Sequence, residues 1–237
     1  MDEGKGSGNG PRVIVACRVM APELESIRGA TDGVEIRYVD QSLHRTPQKM
    51  APLLQEQIDQ AADYAGQIVL GYGLCSYGIE GVIARRQGLV VPRAHDCIAL
   101  FLGSLAAYNQ AFSERPGTYY LTPGWVAERK DPLGIMESYV PKYGEDTARW
   151  VMEEELRHYT HILLIDTGVG DLAPLRERAR KNARFFGKEY QEIPATLAYL
   201  RKIVHGPHTD EDFFFFKPGE TVTKEPYLDE AFACASS

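Results

Sequence analysis

Apolar positions along the chain follow two alternating rhythms. Short β-branched runs, "RVIVACRVM" (12–20), "VEIRYVD" (34–40), "QIVLGYG" (67–73) and "LVVP" (89–92), read as strands. Between them, "ELESIRGA" and "TPQKMAPLLQEQIDQAADYAG" (46–66) place apolar residues at helical spacing, with Gly66 as the predicted C-cap. A helix is predicted through "GIEGVIARRQG", and "CIALFLGSLAAYNQAF" (97–112) reads as a largely buried helix. The second half predicts strand "GTYYLTPGW" (117–125), a helix within 144–159, strand "THILLIDTG" (160–168) and a helix over 172–186. Strand "KEYQEIP" (188–194), helix "TLAYLRKIVHG" (196–206) and strand "DFFFFKPG" (212–219) complete the series.

Strands alternating with helices imply βαβ units and parallel sheet covered on both faces. Eight strands suit an α/β fold of two doubly wound Rossmann-like lobes with mainly parallel sheets. The expected organisation is a disordered leader (1–11), a first lobe (12–115), a second lobe (116–222) and a C-terminal tail (223–237).

Charge and composition narrow the function. Across 237 residues the net charge is −7, which argues against a nucleic-acid partner because phosphate binding needs concentrated cations. The locally basic "ARKNARFFGK" (179–188) reads as the solvated face of a helix. No apolar run approaches membrane-spanning length, and the polar "MDEGKGSGNG" start is not a secretory signal. A cytoplasmic location without membrane contact is expected.

Four cysteines without an export signal or a C-x-x-C pair point to thiols, metal ligands or nucleophiles rather than to a disulfide framework. In open parallel sheets, ligands bind beyond the carboxyl ends of the strands. Cys17 closes the first strand, Cys75 follows the third in "GYGLCSYG", and Cys97 lies past the fourth in "VPRAHDC". In extended backbone His95 and Cys97 project to the same side, and Asp96 to the other. This makes Cys17, Cys75, Cys97 and His95 the candidate metal ligands. Asp96 and Arg93 are the candidate catalytic residues, Asp96 by supporting a ligand and Arg93 by binding an anionic substrate group. The N-terminus of the helix that Cys97 begins is expected to lower its thiol pKa.

Gly71 and Gly73 let backbone approach a bound atom closely, and Gly168 and Gly170 in "TGVGD" offer N–H groups to a phosphate or carboxylate; these four are the candidate cofactor-binding glycines. Cys17 after "VIVA" reads equally well as a buried apolar residue. Cys234 in "FACASS" reads as incidental, the "HGPH" histidines (205–208) read as capping and loop residues near a helix end, and "DTG" stands in the wrong fold for an aspartic protease. Tyr119, Tyr120 and Trp125 are expected to face the core.

The stretches "YGLCSYGIEG", "VPRAHDCIALFLGS" and "PGTYYLTPGW", with "VIVAC" and "DFFFFKPGE", resemble the family called domain of unknown function 1638 over about residues 12–220. Under that resemblance Cys17, Cys75, His95, Asp96 and Cys97 stand at motif positions. Its members are common in anaerobes, often beside corrinoid-dependent methyltransferase systems. This implies a zinc-thiolate enzyme moving a methyl or sulfur-bearing group, with a small-molecule thiol or methyl donor and a corrinoid protein as partners. The His95-x-Cys97 pair with a distant cysteine is similar to the ligands of zinc-dependent thiol methyltransferases. Two alternatives stand beside it. One is a [4Fe–4S] enzyme of lyase or desulfidase type, held by Cys17, Cys75 and Cys97 with one open iron. The other is a protein that binds and delivers metal or corrinoid without turnover.

Overall fold

The computed structural model describes residues 10–40 and 46–228. Most of the expected leader, most of the tail and Cys234 lie outside the described residues. The α/β architecture holds, with two mainly parallel sheets.

Strand β1 (Arg12–Cys17) runs between β2 (Val34–Val39) and β3 (Gln67–Gly71), parallel to both. From Val13 onward every residue of β1 is buried, as a central parallel strand covered on both faces requires. Strand β4 (Leu89–Pro92) lies parallel to β3, and β8 (Phe213–Phe216) closes the edge antiparallel to β4, giving the order β2-β1-β3-β4-β8. The second sheet has the order β5-β6-β7, from Thr118–Leu121, His161–Asp166 and Glu189–Pro194, all parallel.

Ten α-helices link these strands among the described residues. Helices α1 (Ala21–Arg28), α2 (Met50–Ala62), α3 (Cys97–Leu102) and α4 (Leu105–Glu114) belong to the first half. Helices α5 (Pro123–Ala127), α6 (Pro132–Tyr143), α7 (Glu145–Glu155), α8 (Leu172–Phe185), α9 (Ala198–His205) and α10 (Glu225–Leu228) follow. Helix α2 packs on β1, β2 and β3, and α8 on β6 and β7. One apolar cluster runs from the first sheet through α3 to Leu121 and Ile162–Ile165 of the second sheet. A smaller one, including Leu133, Met136, Ala148 and Met152, fills the space between α6 and α7.

The structure departs from the sequence expectation in five places. Helix α2 ends at Ala62, so Gly66 is not its cap; the Gly66 N–H donates to the Pro11 carbonyl at 2.9 Å. The segment 78–88 forms no helix. Its Gly81 and Ala84 N–H groups bond the Val222 and Glu220 carbonyls, and Ile83 bridges Thr221, so long-range pairing outweighs a helix already weakened by Gly78 and Gly81. The predicted helix 97–112 breaks at left-handed Gly103 (φ 88°), and the Ser104 hydroxyl caps α4 by accepting from the Ala107 N–H at 3.0 Å. Strand β5 stops at Leu121 because Pro123 opens α5. Finally, α9 packs on α1, α3 and β3, and β8 joins the first sheet. The chain therefore returns to its first half after β7, and 196–222 does not continue the second sheet.

A candidate thiol and aromatic site at the strand ends

The parallel register carries Cys17 and Tyr72 to neighbouring positions, since Ala16 pairs with Gly71. Gly71 is glycine for packing: a Cβ there would stand 2.7 Å from the Ala16 Cβ. At Gly73 a Cβ would stand 2.7 Å from both the Ala94 carbonyl oxygen and the Asp96 nitrogen. The space around both glycines is thus filled by protein. They draw the β3 loop against β1 and against the loop after β4. Two ladder-like bonds fasten the second contact, Leu74 N–H to the Ala94 carbonyl (2.9 Å) and Cys75 N–H to the His95 carbonyl (2.8 Å).

Cys75 opens a strained turn. Cys75, Ser76 and Tyr77 have φ of 49°, 56° and 65°, three successive non-glycine residues in the left-handed region. Each such residue costs about 1–2 kcal/mol, and a run of three persists only because the fastened backbone around it leaves no alternative. The Gly78 N–H closes the turn onto the Cys75 carbonyl at 3.0 Å.

Cys17, Cys75 and Cys97 are 0%, 2% and 3% exposed, and none is disulfide-bonded. Burial dominates their chemistry. It pushes the Cys17 thiol up to about 11, eased by the Val19 N–H and the Tyr72 hydroxyl. It lifts Cys75 and Cys97 well above the ordinary thiol range, helped for Cys97 by Cys75, Asp96 and Cys17, and for Cys75 by Asp96 and Cys17. The lowering expected at the start of α3 is therefore overturned: the Cys97 N–H does act on both sulfurs, but desolvation is larger. Burial thus keeps all three protonated near pH 7, and Cys17 acts on both Cys75 and Cys97, as Cys75 does on Cys97. The Tyr72 hydroxyl, also buried, leans on Cys17 but finds no partner in ordinary hydrogen-bond geometry.

As the side chains stand, no group of three or more His, Cys, Asp or Glu among the described residues is arranged to hold a metal ion. His95 is half-buried in the loop whose carbonyl receives the Cys75 N–H. Asp96 is the N-cap of α3, one oxygen accepting from the Ile98 N–H (2.9 Å) and the other from the Tyr108 hydroxyl (3.3 Å). Burial raises its pKa, against the lowering effect of those donors. Arg93 faces β8: its guanidinium lies 4.3 Å over the Phe214 ring and donates to the Asp210 carbonyl at 3.1 Å.

Asp96 also borders an open cleft of about 350 Å³ between α4 and the start of the second sheet. Tyr108, Tyr119, Tyr120, Trp125 and Tyr159 wall it. Tyr119 and Tyr120 thus pack against the core and also border this cavity, and the buried Tyr120 hydroxyl has no partner. Trp125 does both, packing edge-on against Phe101 with centroids 6.2 Å apart. The alternation of β5 was too short to distinguish these faces in the sequence.

Sequence reasoning missed Glu23. It lies on α1, fully buried, where one carboxyl oxygen accepts from the Thr167 hydroxyl at 2.8 Å and the other has no partner. Burial raises its pKa to about 7. Thr167 follows β6, so this contact joins the strand ends of the two sheets. Beyond it, Gly168 and Gly170 are left-handed (φ 67° and 77°) with open space where a Cβ would be. Asp166 receives the Gly168 N–H and pairs with Arg176 at 3.0 Å. The ring nitrogens of His205, the last residue of α9, and of His208 in the following loop bond the Ile27 and Ile203 carbonyls.

The family model described as "Protein of unknown function (DUF1638)" matches residues 38–204. The chain belongs to this DUF1638 family. The match contains Cys75, His95, Asp96, Cys97 and every residue named above as walling the cleft, and it begins after Cys17. No curated protein and no solved structure matches the chain. No helix among the described residues is long and apolar enough to cross a membrane.

Proposed function

We propose that this DUF1638 protein is a zinc-thiolate enzyme of the transferase class, working in methyl or sulfur transfer. The single observation that carries the reading is the convergence of three buried thiols from three different strand ends beside a ligand-sized cleft. The donor set suits a soft cation, because thiolate is the ligand of choice for zinc and for iron–sulfur centres. Burial alone leaves the thiols protonated, so they gain a reactive form only with a positive partner, and loading releases their protons. The thiols do not form a coordination set as they stand, so the reading requires them to close by side-chain rotation.

Bound zinc supplies a Lewis acid that keeps a thiolate nucleophilic at neutral pH. The protein's own groups do the rest. The α3 N-cap at Asp96 fixes Cys97, the strained turn fixes Cys75, and the aromatic walls of the cleft exclude water from a substrate placed next to Asp96. A small-molecule thiol or methyl donor would occupy the cleft, and a corrinoid protein would be the methyl-carrying partner.

Metal analysis of protein purified without oxygen tests this. About one zinc per chain, lost in Cys75→Ser and in Cys97→Ser, supports the proposal. A brown protein with visible thiolate-to-iron absorption replaces it with the iron–sulfur enzyme. Zinc that is held while no thiol and methyl-corrinoid pair turns over leaves a carrier. Metal-free protein with all thiols reduced overturns every metal reading.

A further inference from the structure

The aromatic cleft has a composition of its own, independent of whether the thiols hold metal. Its volume of about 350 Å³ is at the small end of ligand sites. Tyr108, Tyr119, Tyr120, Trp125 and Tyr159 border it, and Asp96 is the one charged residue in its lining. No lysine or arginine among the described residues forms an ion pair with Asp96 within 4.0 Å, although the carboxylate lies mostly out of water; the basic side chain that acts on it is the adjacent His95. The charges that act on the cleft from neighbouring elements are mixed. Glu155 on α7 acts on Tyr159; Tyr120 feels Asp96 first, then Arg115 in the opposite sense, and least Glu114 on α4. Arg115 itself pairs with Glu114 at 3.0 Å.

We propose that this cleft binds a small organic cation through a methylated ammonium group. Aromatic rings attract a cation by their quadrupole, most strongly when it is desolvated, and a carboxylate adds a full opposite charge. The donor count selects the kind of cation. A primary ammonium carries three N–H donors and needs three acceptors on burial. The Asp96 oxygens are already engaged by the Ile98 N–H and the Tyr108 hydroxyl, leaving few acceptors for those donors. A trimethylammonium group brings no N–H, loses little hydration, and presents methyl groups that suit ring surfaces.

Choline and tetramethylammonium are the probes, read by fluorescence of Trp125 in a Trp150→Phe background and by calorimetry on the metal-free full chain. Trp150 is well exposed on α7 and outside the cleft, so its replacement leaves the site alone. Saturable binding of both cations is expected, with 3,3-dimethylbutan-1-ol, the uncharged isostere of choline, binding about tenfold or more weakly. Asp96→Asn keeps an N-cap side chain for α3 and should weaken choline about tenfold or more while changing the isostere little. Tyr159→Leu, at a half-buried ring on the rim, should weaken both cations with no loss of fold. Equal binding of choline and its isostere, full choline affinity in Asp96→Asn, or no saturable binding of either cation overturns the proposal. None of these results depends on zinc, so failure here and failure of the transferase reading remain distinguishable.

Discussion

Two buried polar clusters in this molecule follow opposite rules. Beneath α6 and α8, Asp131 is fully buried and receives Arg178 through two nitrogens at 2.6 and 3.0 Å, the Gly134 N–H at 3.1 Å and the Asn182 amide at 3.3 Å. Asn182 in turn accepts the Leu133 N–H at 2.8 Å. At the strand ends, by contrast, the Tyr120 and Thr122 hydroxyls and one Glu23 oxygen are buried without partners, and the Tyr72 hydroxyl has only the Cys17 sulfur. Native proteins leave few such groups orphaned, because each one costs about 1–3 kcal/mol. Completeness in the first cluster marks a structural clamp between α6 and α8. Incompleteness in the second marks a place where the fold gives up stability, and within it Tyr72 lies against the thiols and Tyr120 against the cleft.

The clamp should show the largest effect. Asp131→Ala leaves Arg178 facing only Glu137 and removes the α6 N-cap, so unfolding free energy should fall by about 3–5 kcal/mol. Denaturant titration measures it, and a loss below about 1 kcal/mol would show that the cluster is not a clamp.

Glu23 should come next, with a pH signature that the clamp lacks. Its carboxyl is raised from 4.5 to about 7 in the fold. Between those values the native state keeps a proton that the unfolded chain releases. Stability from this group is therefore complete below about pH 4.5 and falls as pH rises to about 7, by roughly 3 kcal/mol in all. Glu23→Gln keeps an acceptor for Thr167, so it should flatten that slope and stabilise the protein at pH 8. Unchanged slopes in melts at pH 5, 7 and 8 would mean that Glu23 is solvated in solution.

The contrast also separates what the sequence made legible. Parallel β1, β3 and β4 were readable because central strands are continuous apolar runs, and that topology placed Cys17, Cys75 and Cys97 beyond the carboxyl ends of the strands. The loop geometry was not readable. Gly71 and Gly73 looked like openings for a ligand, but the same property, absence of a Cβ, serves backbone packing against Ala16 and Asp96. Glu23 resembled any exposed helix-start carboxylate, and only the return of the chain past Thr167 buries it. Likewise β8 followed the second-half rhythm in sequence, and its place beside β4 depends on a long-range pairing that local pattern does not encode.

A smaller effect probes the cleft half of the incomplete cluster. Tyr120→Phe removes a buried hydroxyl with no partner, so the unliganded protein should gain up to about 1 kcal/mol. The corresponding deletion at a satisfied group would be a loss. A drop in melting temperature for Tyr120→Phe would show that the hydroxyl is paired in solution and would erase the contrast at this position.

The smallest expected change bears on why the fold tolerates strain next to Cys75. Ser76 is exposed and left-handed (φ 56°), so Ser76→Gly removes a backbone cost of about 1–2 kcal/mol. Glycine returns about 0.5–1 kcal/mol of that through the greater freedom of the unfolded chain. The net gain should be at most about 1 kcal/mol, readable by denaturant titration. Tyr77 is a poorer choice for this test, because its ring also carries the Lys224 ammonium at 5.6 Å. If Ser76→Gly stabilises the protein and also weakens zinc retention, the turn is strained in order to hold the Cys75 sulfur in place. If it stabilises and zinc retention is unchanged, the left-handed run reflects only the packing of Gly73 and Gly78, and the strain belongs to the fold rather than to the site.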